Sequence, residues 1–202
     1  METLTFSEHI GITTGQDDQI DYLIEVLYKS RSKEHELRTA RNGWQVRDVL
    51  NTSVTMHNIV PMIYKRVGEY LEVYEPNQEM MFGINNIWGN ILPPGGYNIM
   101  HDHPGCQLTC VWWLQAEENS GDLLVQNPCP SSRLRDYSAM RSIDTLHRIK
   151  PERNKMVFFN SQLCHLVDAN NSDSDRISIS LNIDLANPRT GTRSGLPVAK
   201  VV

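Results

Sequence analysis

The sequence lacks the features that mark membrane, secreted and nucleic-acid-binding proteins. No apolar run among its 202 residues reaches the roughly 18–20 residues that a transmembrane helix needs. The first residues contain no basic start followed by an apolar segment, so a signal peptide is not expected. The net charge is −5, without a long run of like charge, which argues against a nucleic-acid partner. We therefore expect a cytoplasmic protein (host cytoplasm if the gene is viral) with no membrane partner.

Cysteine is scarce and its spacing excludes a common kind of metal site. The four cysteines form no Cys-x-x-Cys pair, so a structural zinc site is not expected, and in the cytoplasm we expect reduced thiols. Cys164 precedes a histidine, but on strand alternation it faces away from it and is interpreted as a buried apolar residue.

The composition is that of an ordinary globular protein, 40% hydrophobic and 21% charged. We predict one domain over 1–202, with helical N-terminal support in 1–79, a β core in 80–186 and an irregular tail in 187–202. Helical spacing predicts one helix from Asp17 to about Lys29 and a second from about Thr52 to Tyr74. Pro61 either kinks the second helix or begins it. The residues between the two helices are interpreted as loop, with a turn at Asn42-Gly43.

Strand signals dominate from Met80 onward. Alternating or β-branched runs are separated by turn residues such as Pro93-Pro94-Gly95-Gly96, which is typical of an antiparallel sandwich or barrel with the two helices packed outside. The predicted strands are 80–91, 97–103, 107–114, 122–126, 142–149, 155–159, 165–167 and 176–183, with an edge strand near residues 4–12.

The segment from Asn98 to Pro104 predicts a metal site. His101 and His103 are two residues apart, so on a strand both imidazoles share one face while Asp102 points to the other. His165, far downstream, can complete the set if a small barrel brings distant strands together. Imidazole suits first-row divalent metals. The preferred ligand set is His101, His103 and His165; the alternative is His101, Asp102 and His165, which needs a bulge or bend at Asp102.

A second feature predicts a docking point for an anion. From Arg176 to Asn182, polar and apolar residues alternate, so Arg176 and Ser178 share a face. We expect this strand to return alongside His165 and to place Arg176 in the same cavity, where a guanidinium binds a carboxylate in bidentate fashion. The expected ligand is a dicarboxylate with one end on the metal and the other on Arg176. A surface ion pair of Arg176 with Asp173 or Asp175 is the alternative.

These motifs together resemble the Fe(II)/2-oxoglutarate-dependent dioxygenase superfamily, in particular a bacterial and phage branch of 2OG-Fe(II) oxygenases. The resemblance spans about Trp88 to Asn182 and implies a mainly β fold, a double-stranded β-helix (jelly-roll) core. It implies Fe(II) as the metal and 2-oxoglutarate as co-substrate, held by Arg176 and Ser178. Asn98 is assigned to the co-substrate site as well, with a turn-stabilising role as its alternative. The motifs are Trp88-Gly89-Asn90, Asn98-Ile99-Met100-His101-Asp102-His103-Pro104, Val111-Trp112-Trp113, Ser120-Gly121-Asp122-Leu123 and Arg176-Ile177-Ser178-Ile179-Ser180-Leu181-Asn182.

The function expected from the resemblance is hydroxylation of a C–H bond, on a small molecule or a protein side chain. One alternative is a cupin-type three-histidine metal enzyme that does not use 2-oxoglutarate; Gly95 and the His-x-His pair fit it, but Gln107 stands where its glutamate would be. Another is a non-catalytic jelly-roll binding module. Jelly-roll enzymes often form homodimers, which leaves a homodimer open here, although the sequence carries no interface signature.

Overall fold

The computed structural model describes residues 8–31, 38–47, 53–74, 80–128, 146–186 and 199–201. These ranges contain two helices, α1 (Ile20–Ser30) and α2 (Ser53–Leu71), and short 3-10 helices at Asp17–Gln19 and Glu72–Tyr74. The strands are β1 (Gly11–Thr14), β2 (Ala40–Arg41), β3 (Trp44–Arg47), β4 (Met80–Leu92), β5 (Tyr97–His101), β6 (Leu108–Gln115), β7 (Leu123–Gln126), β8 (Leu146–Ile149), β9 (Lys155–Asn160), β10 (His165–Val167), β11 (Arg176–Ala186) and β12 (Ala199–Val201).

The strands form two antiparallel sheets. The large sheet has the order β1-β9-β6-β11-β4-β12, and β3 also pairs with β4. The small sheet has the order β2-β5-β10-β7-β8. Neighbours in each sheet are mostly distant in the chain, which brings ligands from separate motifs together. The predicted mainly β class with two helices is confirmed.

The large sheet has an apolar core on one face and a polar cavity on the other. Ile177, Ile179 and Leu181 of β11 are fully buried and belong to a core cluster that also contains apolar residues of α1 and α2. The opposite face of β11 carries Arg176 and Ser178 and points toward the small sheet. The predicted alternation of this strand is therefore confirmed, and one face of β11 anchors the helices while the other builds a cavity.

Helix α1 lies close to the large sheet because its apolar stripe meets a glycine. Ile20, Leu23 and Leu27 are fully buried, at the helical spacing that the sequence predicts. A Cβ on Gly89 of β4 would stand 2.2 Å from Leu27 Cδ2, so a larger residue here would force the Leu27 side chain to shift. Pro61 lies inside α2, so the helix neither begins nor ends there. No helix within the described ranges is long and apolar enough to cross a membrane.

Several predictions about individual elements are wrong. The segment interpreted as loop and turn contains β2 and β3, which join different sheets on either side of Asn42-Gly43. The tail, expected to be irregular, adds β12 to the edge of β4. Strand β11 does not return alongside His165; it pairs with β4 and β6, and β10 lies in the other sheet. Parts of the predicted strands near residues 4–12 and 142–149 lie outside the described residues.

Candidate functional site

Three histidines converge between the sheets. His101 ends β5, His165 begins β10, and the two residues are direct partners across these strands. The ring centroids of His101 and His165 are 4.2 Å apart, and those of His103 lie 5.1 Å from His101 and 5.0 Å from His165. One potential donor atom from each of the three residues lies within 4.8 Å of the others. The set predicted from sequence is therefore brought together in space.

Hydrogen bonds fix which nitrogen of each ring is free. Nδ1 of His101 lies 2.7 Å from the Ile99 carbonyl oxygen, and Nδ1 of His165 lies 2.8 Å from the Leu163 carbonyl oxygen. A carbonyl oxygen only accepts, so each Nδ1 donates its hydrogen and each Nε2 keeps a lone pair. Supporting hydrogen bonds of this kind hold metal-binding imidazoles in orientation.

His103 is held by side chains instead of backbone. Its Nδ1 lies 2.6 Å from Asn182 Oδ1, at the end of the alternating face of β11, and 3.3 Å from Thr109 Oγ1. The Trp88 ring stands against it, with centroids 5.6 Å apart. Residues of the large sheet thus orient His103, although His103 follows β5 of the small sheet.

Burial keeps the three imidazoles neutral. Desolvation, together with a smaller contribution from the neighbouring His101, lowers the pKa of His165 to about 3. Desolvation also lowers the pKa of His101 and of His103. Neutral imidazole is the form that binds a metal, so protons compete little for these nitrogens at neutral pH.

Asp102 does not join the three histidines. Its residue is exposed, whereas His103 is 8% exposed and faces the cavity. The alternative set with Asp102 as ligand is not assembled in this structure. Strand alternation does not account for the position of His103, however, because β5 ends at His101 and His103 lies beyond it. His103 is placed by its Nδ1 contacts and by the hydrogen bond from its backbone N–H to the Ser161 carbonyl.

Arg176 forms the other end of the site. It is 2% exposed and its Nη1 donates to the backbone carbonyls of Ser120, of Gly121 at 2.7 Å and of Asp168 at 3.4 Å. Its Nη2 is buried without a hydrogen-bond partner within the described part of the chain. Desolvation lowers the pKa of Arg176 to about 10, which leaves it cationic at neutral pH. The alternative of a surface ion pair is not observed, since Asp175 instead contacts Tyr28 and Arg31.

A buried guanidinium whose Nη2 has no partner among the described residues favours the binding of an anion. Leaving a charged donor unsatisfied in the interior is costly, whereas a carboxylate can accept from it in a short, charge-assisted hydrogen bond. The residues present therefore fit the two parts predicted from sequence: a set of three neutral nitrogen donors for a metal, and an anion-binding guanidinium.

One small cavity, of about 40 Å³, connects the two ends. Asn98 lies on its wall, 8% exposed, and donates from Nδ2 to Thr39 Oγ1 at 3.0 Å. The cavity adjoins an outer pocket of about 280 Å³, and the two share Thr39, Gln45, Trp88, His101 and His103. Its wall also contains Asn90, His165, Arg176, Ser178 and Ser180.

A larger groove, of about 690 Å³, opens elsewhere between β1, β7 and β8. Its lining, which includes Ile10, Val125 and Ile149, contains none of the three histidines and not Arg176. Size alone therefore does not identify the site; the convergence of donors does.

Two further residues of the cavity, Gln45 and Thr39, were not predicted from the sequence. Gln45 is 8% exposed, lies on β3 opposite Asn90 and lines both the cavity and the outer pocket. The alternation of Trp44-Gln45-Val46 was the available signal, but it is short and follows a turn signal. Asn182 was included in the polar face of β11, but its contact with His103 depends on a cross-sheet arrangement that the sequence does not display.

Comparison with known proteins agrees with this geometry. Residues 86–182 match the model of a family described as "Putative 2OG-Fe(II) oxygenase". No curated protein matches the chain significantly. The matched segment contains all three histidines, Arg176, Ser178 and Asn98.

Solved structures share the fold at low sequence identity. A viral collagen prolyl hydroxylase from Paramecium bursaria Chlorella virus-1, in its 2OG complex, has 16% identity and a TM-score of 0.56, covering 88% of this chain and 96% of that chain. A prolyl-4-hydroxylase from Pseudomonas putida has 11% identity and a TM-score of 0.61, covering 88% and 93%. The epimerase SnoN of nogalamycin biosynthesis, described as non-heme and alpha-ketoglutarate-dependent, has 16% identity and a TM-score of 0.63, covering 94% and 88%.

The similar structures support the predicted jelly-roll core. The family match supports the predicted Fe(II)/2-oxoglutarate chemistry for residues 86–182. The resemblance to the 2OG-Fe(II) oxygenases that the sequence predicts is confirmed by the family model over residues 86–182.

Proposed function

We propose that this protein binds Fe(II) through His101, His103 and His165 and uses 2-oxoglutarate and dioxygen to hydroxylate a C–H bond of a second substrate. The observation that carries the proposal is the convergence on one cavity of three imidazoles and of Arg176 Nη2, which has no hydrogen-bond partner among the described residues. With the metal bound, the net reaction splits dioxygen between the two substrates, so that 2-oxoglutarate becomes succinate and carbon dioxide while R–H becomes R–OH.

The three imidazoles would supply Nε2, because each Nδ1 is already engaged as a donor. Three ligands on one side of a metal leave coordination positions for a chelating 2-oxo acid and for dioxygen. The set contains no carboxylate, so the three ligands themselves do not offset the charge of the metal.

Arg176 would bind the distal carboxylate of 2-oxoglutarate through Nη2, with the Ser178 hydroxyl as a second donor. Its three backbone acceptors hold the guanidinium in place, so little side-chain entropy is lost when the anion binds. Asn98, whose amide is tied to Thr39, lines the wall between the two ends and limits the space for the bound chain.

The second substrate would enter through the outer pocket. That pocket is lined by His101 and His103 together with Trp88, Pro104 and Asn182. Its walls are mixed polar and aromatic, which suits either a small polar molecule or an extended protein segment that presents one side chain.

The test is anaerobic titration of the Fe(II)-loaded protein with 2-oxoglutarate, followed by visible absorption. A weak charge-transfer band is expected on chelation and should be absent in His165→Ala. His147→Ala is the matched control, because His147 is exposed on β8 and lies outside the set of three histidines. Iron binding without a band would favour the cupin-type alternative, and a protein that binds no iron would contradict the proposal.

Arg176→Ala separates the two enzymatic alternatives further. Loss of hydrogen bonds to a charged carboxylate should weaken 2-oxoglutarate binding by about 10–100-fold. Arg153→Ala, which removes an exposed arginine paired with Asp17 and Asp21, should leave that affinity unchanged. Equal affinities in the two variants would remove Arg176 from the co-substrate site.

A further inference from the structure

Four buried polar side chains form a continuous hydrogen-bonded group beside Arg176. Gln45, Asn90, Ser178 and Ser180 are each between 5% and 8% exposed, and all four line the cavity. We call them the amide network. They come from three adjacent strands of the large sheet, β3, β4 and β11, on the face that points toward the small sheet.

The hydrogen bonds of the amide network all run in one direction, from Gln45 through Asn90 to the two serines. Gln45 Nε2 donates to Asn90 Oδ1 at 2.9 Å, and Asn90 Nδ2 then donates to Ser180 Oγ at 3.2 Å and, at 3.4 Å, to Ser178 Oγ. Each serine oxygen therefore accepts from Asn90, which leaves its hydroxyl hydrogen for a different acceptor. A serine hydroxyl rotates to suit its partners, so the orientation of the Asn90 amide decides what the two serines offer to the cavity.

Gln45 sets the orientation of Asn90. If the Asn90 amide were turned over, its oxygen would accept from the serine hydroxyls, and neither would remain as a donor to a ligand. The Gln45 side chain opposes this, since its Nε2 needs the Asn90 oxygen. Gln45 Oε1 is buried without a partner in the described part of the chain. Turning Gln45 over would leave the amide N–H unpaired instead, and buried unpaired N–H groups are rarer than unpaired carbonyls.

We propose that Gln45 and Asn90 are positioning residues that hold the Ser178 and Ser180 hydroxyls as donors toward the distal carboxylate of 2-oxoglutarate. This inference rests on the proposed function, because the carboxylate is the acceptor. Neither amide needs to touch the ligand. Their effect is preorganisation, in which donors already oriented before binding lose less freedom when the anion arrives.

The test compares two 2-oxo acids that differ at the distal end. 2-Oxoglutarate carries the distal carboxylate and 2-oxobutyrate lacks it, while both can chelate Fe(II). Dissociation constants are measured anaerobically with Fe(II)-loaded protein for the wild type, Asn90→Leu and Gln45→Leu. Both substitutions are neutral, so added charge cannot explain an effect.

In both variants the dissociation constant of 2-oxoglutarate should rise, by about tenfold for Asn90→Leu, while that of 2-oxobutyrate stays at the wild-type value. In a Ser178→Ala/Ser180→Ala background, Asn90→Leu should add no further loss, because the hydroxyls it orients are gone. Asn85→Leu is the matched control: it removes another β4 amide, one that donates to Asp184 and does not line the cavity.

The outcomes separate the two proposals. A wild-type protein that binds neither 2-oxo acid contradicts the proposed function itself. A wild type that binds 2-oxoglutarate normally, with Asn90→Leu unchanged, overturns only the positioning role. Equal weakening of 2-oxoglutarate and 2-oxobutyrate in Asn90→Leu also overturns it, because the effect would then act on the metal or the fold. The positioning role is also overturned if Asn90→Leu further weakens 2-oxoglutarate binding in the Ser178→Ala/Ser180→Ala background.

Discussion

At the scale of single residues, hydrogen bonds to Nδ1 fix the tautomer of the histidines in the proposed metal site. Two of the three histidines use a backbone carbonyl two residues earlier, which any sequence can supply. His103 depends on the side chain of Asn182, 2.6 Å away on another strand. This makes Asn182 the supporting contact most open to mutational analysis.

Replacing Asn182 by leucine should weaken metal binding by roughly 10–100-fold, the usual effect of losing a supporting hydrogen bond to a metal-binding histidine. The measurement is the dissociation constant for Co(II) or Fe(II) under anaerobic conditions. Asn171→Leu is the control, since Asn171 is exposed and does not line the cavity. Equal affinities in the two variants would contradict a supporting role for Asn182.

The lowered histidine pKa values predict how the metal-free protein responds to acid. The pKa of His165 is 6.5 when unperturbed and about 3 in the fold. Between these values the unfolded chain binds a proton that the folded chain does not, so the free energy of unfolding falls as the pH drops from about 6.5 toward about 3. Chemical denaturation at a series of pH values measures this. His165→Asn should show a shallower decline over that range, and an unchanged slope would contradict the argument.

At the scale of elements, one turn holds Arg176, the residue proposed to bind the anion. Gly121 precedes β7 with a positive φ of 92°, and its carbonyl accepts from Arg176 Nη1. A Cβ at this position would lie 2.6 Å from Arg176 Nη1 and 2.3 Å from the Asp168 carbonyl oxygen. The backbone conformation and the close packing both require glycine here.

Gly121→Ala should therefore destabilise the protein and weaken 2-oxoglutarate binding, because Arg176 must move. Gly105→Ala is a matched control: its φ is also positive, at 95°, but no atom lies within 4 Å of the added Cβ. The control should lose only the backbone term, about 1–2 kcal/mol. Thermal unfolding and co-substrate titration of both variants measure the difference. Equal behaviour would show that the packing around Arg176 tolerates a methyl group.

The sequence was informative about elements wherever a signal was local. The alternation from Arg176 to Asn182 correctly predicted which side chains share a face, and His165 was placed at the start of its strand. Strand β3 was missed because four residues give too short a pattern, and what stabilises it is pairing with β4, far along the chain. Which strands become neighbours is decided by non-local packing, so the expected pairing of β11 beside His165 was wrong.

At the scale of the whole molecule, the helices and the site use opposite faces of one sheet. Apolar residues of β4 and β11 anchor α1 and α2, while polar residues of the same strands build the cavity. The residues that carry the chemistry can therefore be polar and buried without interrupting the main apolar core. This division explains why the N-terminal helices contribute few recognisable functional residues and yet support the strands that carry the site.

Ligand binding should stabilise the fold in a fixed order, with Fe(II) required before 2-oxoglutarate has an effect. At 100 times its dissociation constant, a ligand that binds only the folded state adds about 2.7 kcal/mol to the free energy of unfolding. We expect 2-oxoglutarate to raise the melting temperature only when Fe(II) is present, and to raise it much less in Arg176→Ala. Anaerobic thermal unfolding with and without each ligand measures this. An increase caused by 2-oxoglutarate alone in His165→Ala would contradict the linkage.

The distribution of the site over two sheets has a mechanical consequence. His101 and His165 belong to the small sheet, whereas Arg176 and Ser178 belong to the large one. A molecule that reaches from the histidines to the guanidinium therefore links the two sheets, and each sheet binds one of its ends. While such a molecule is bound, it holds the two sheets at one separation.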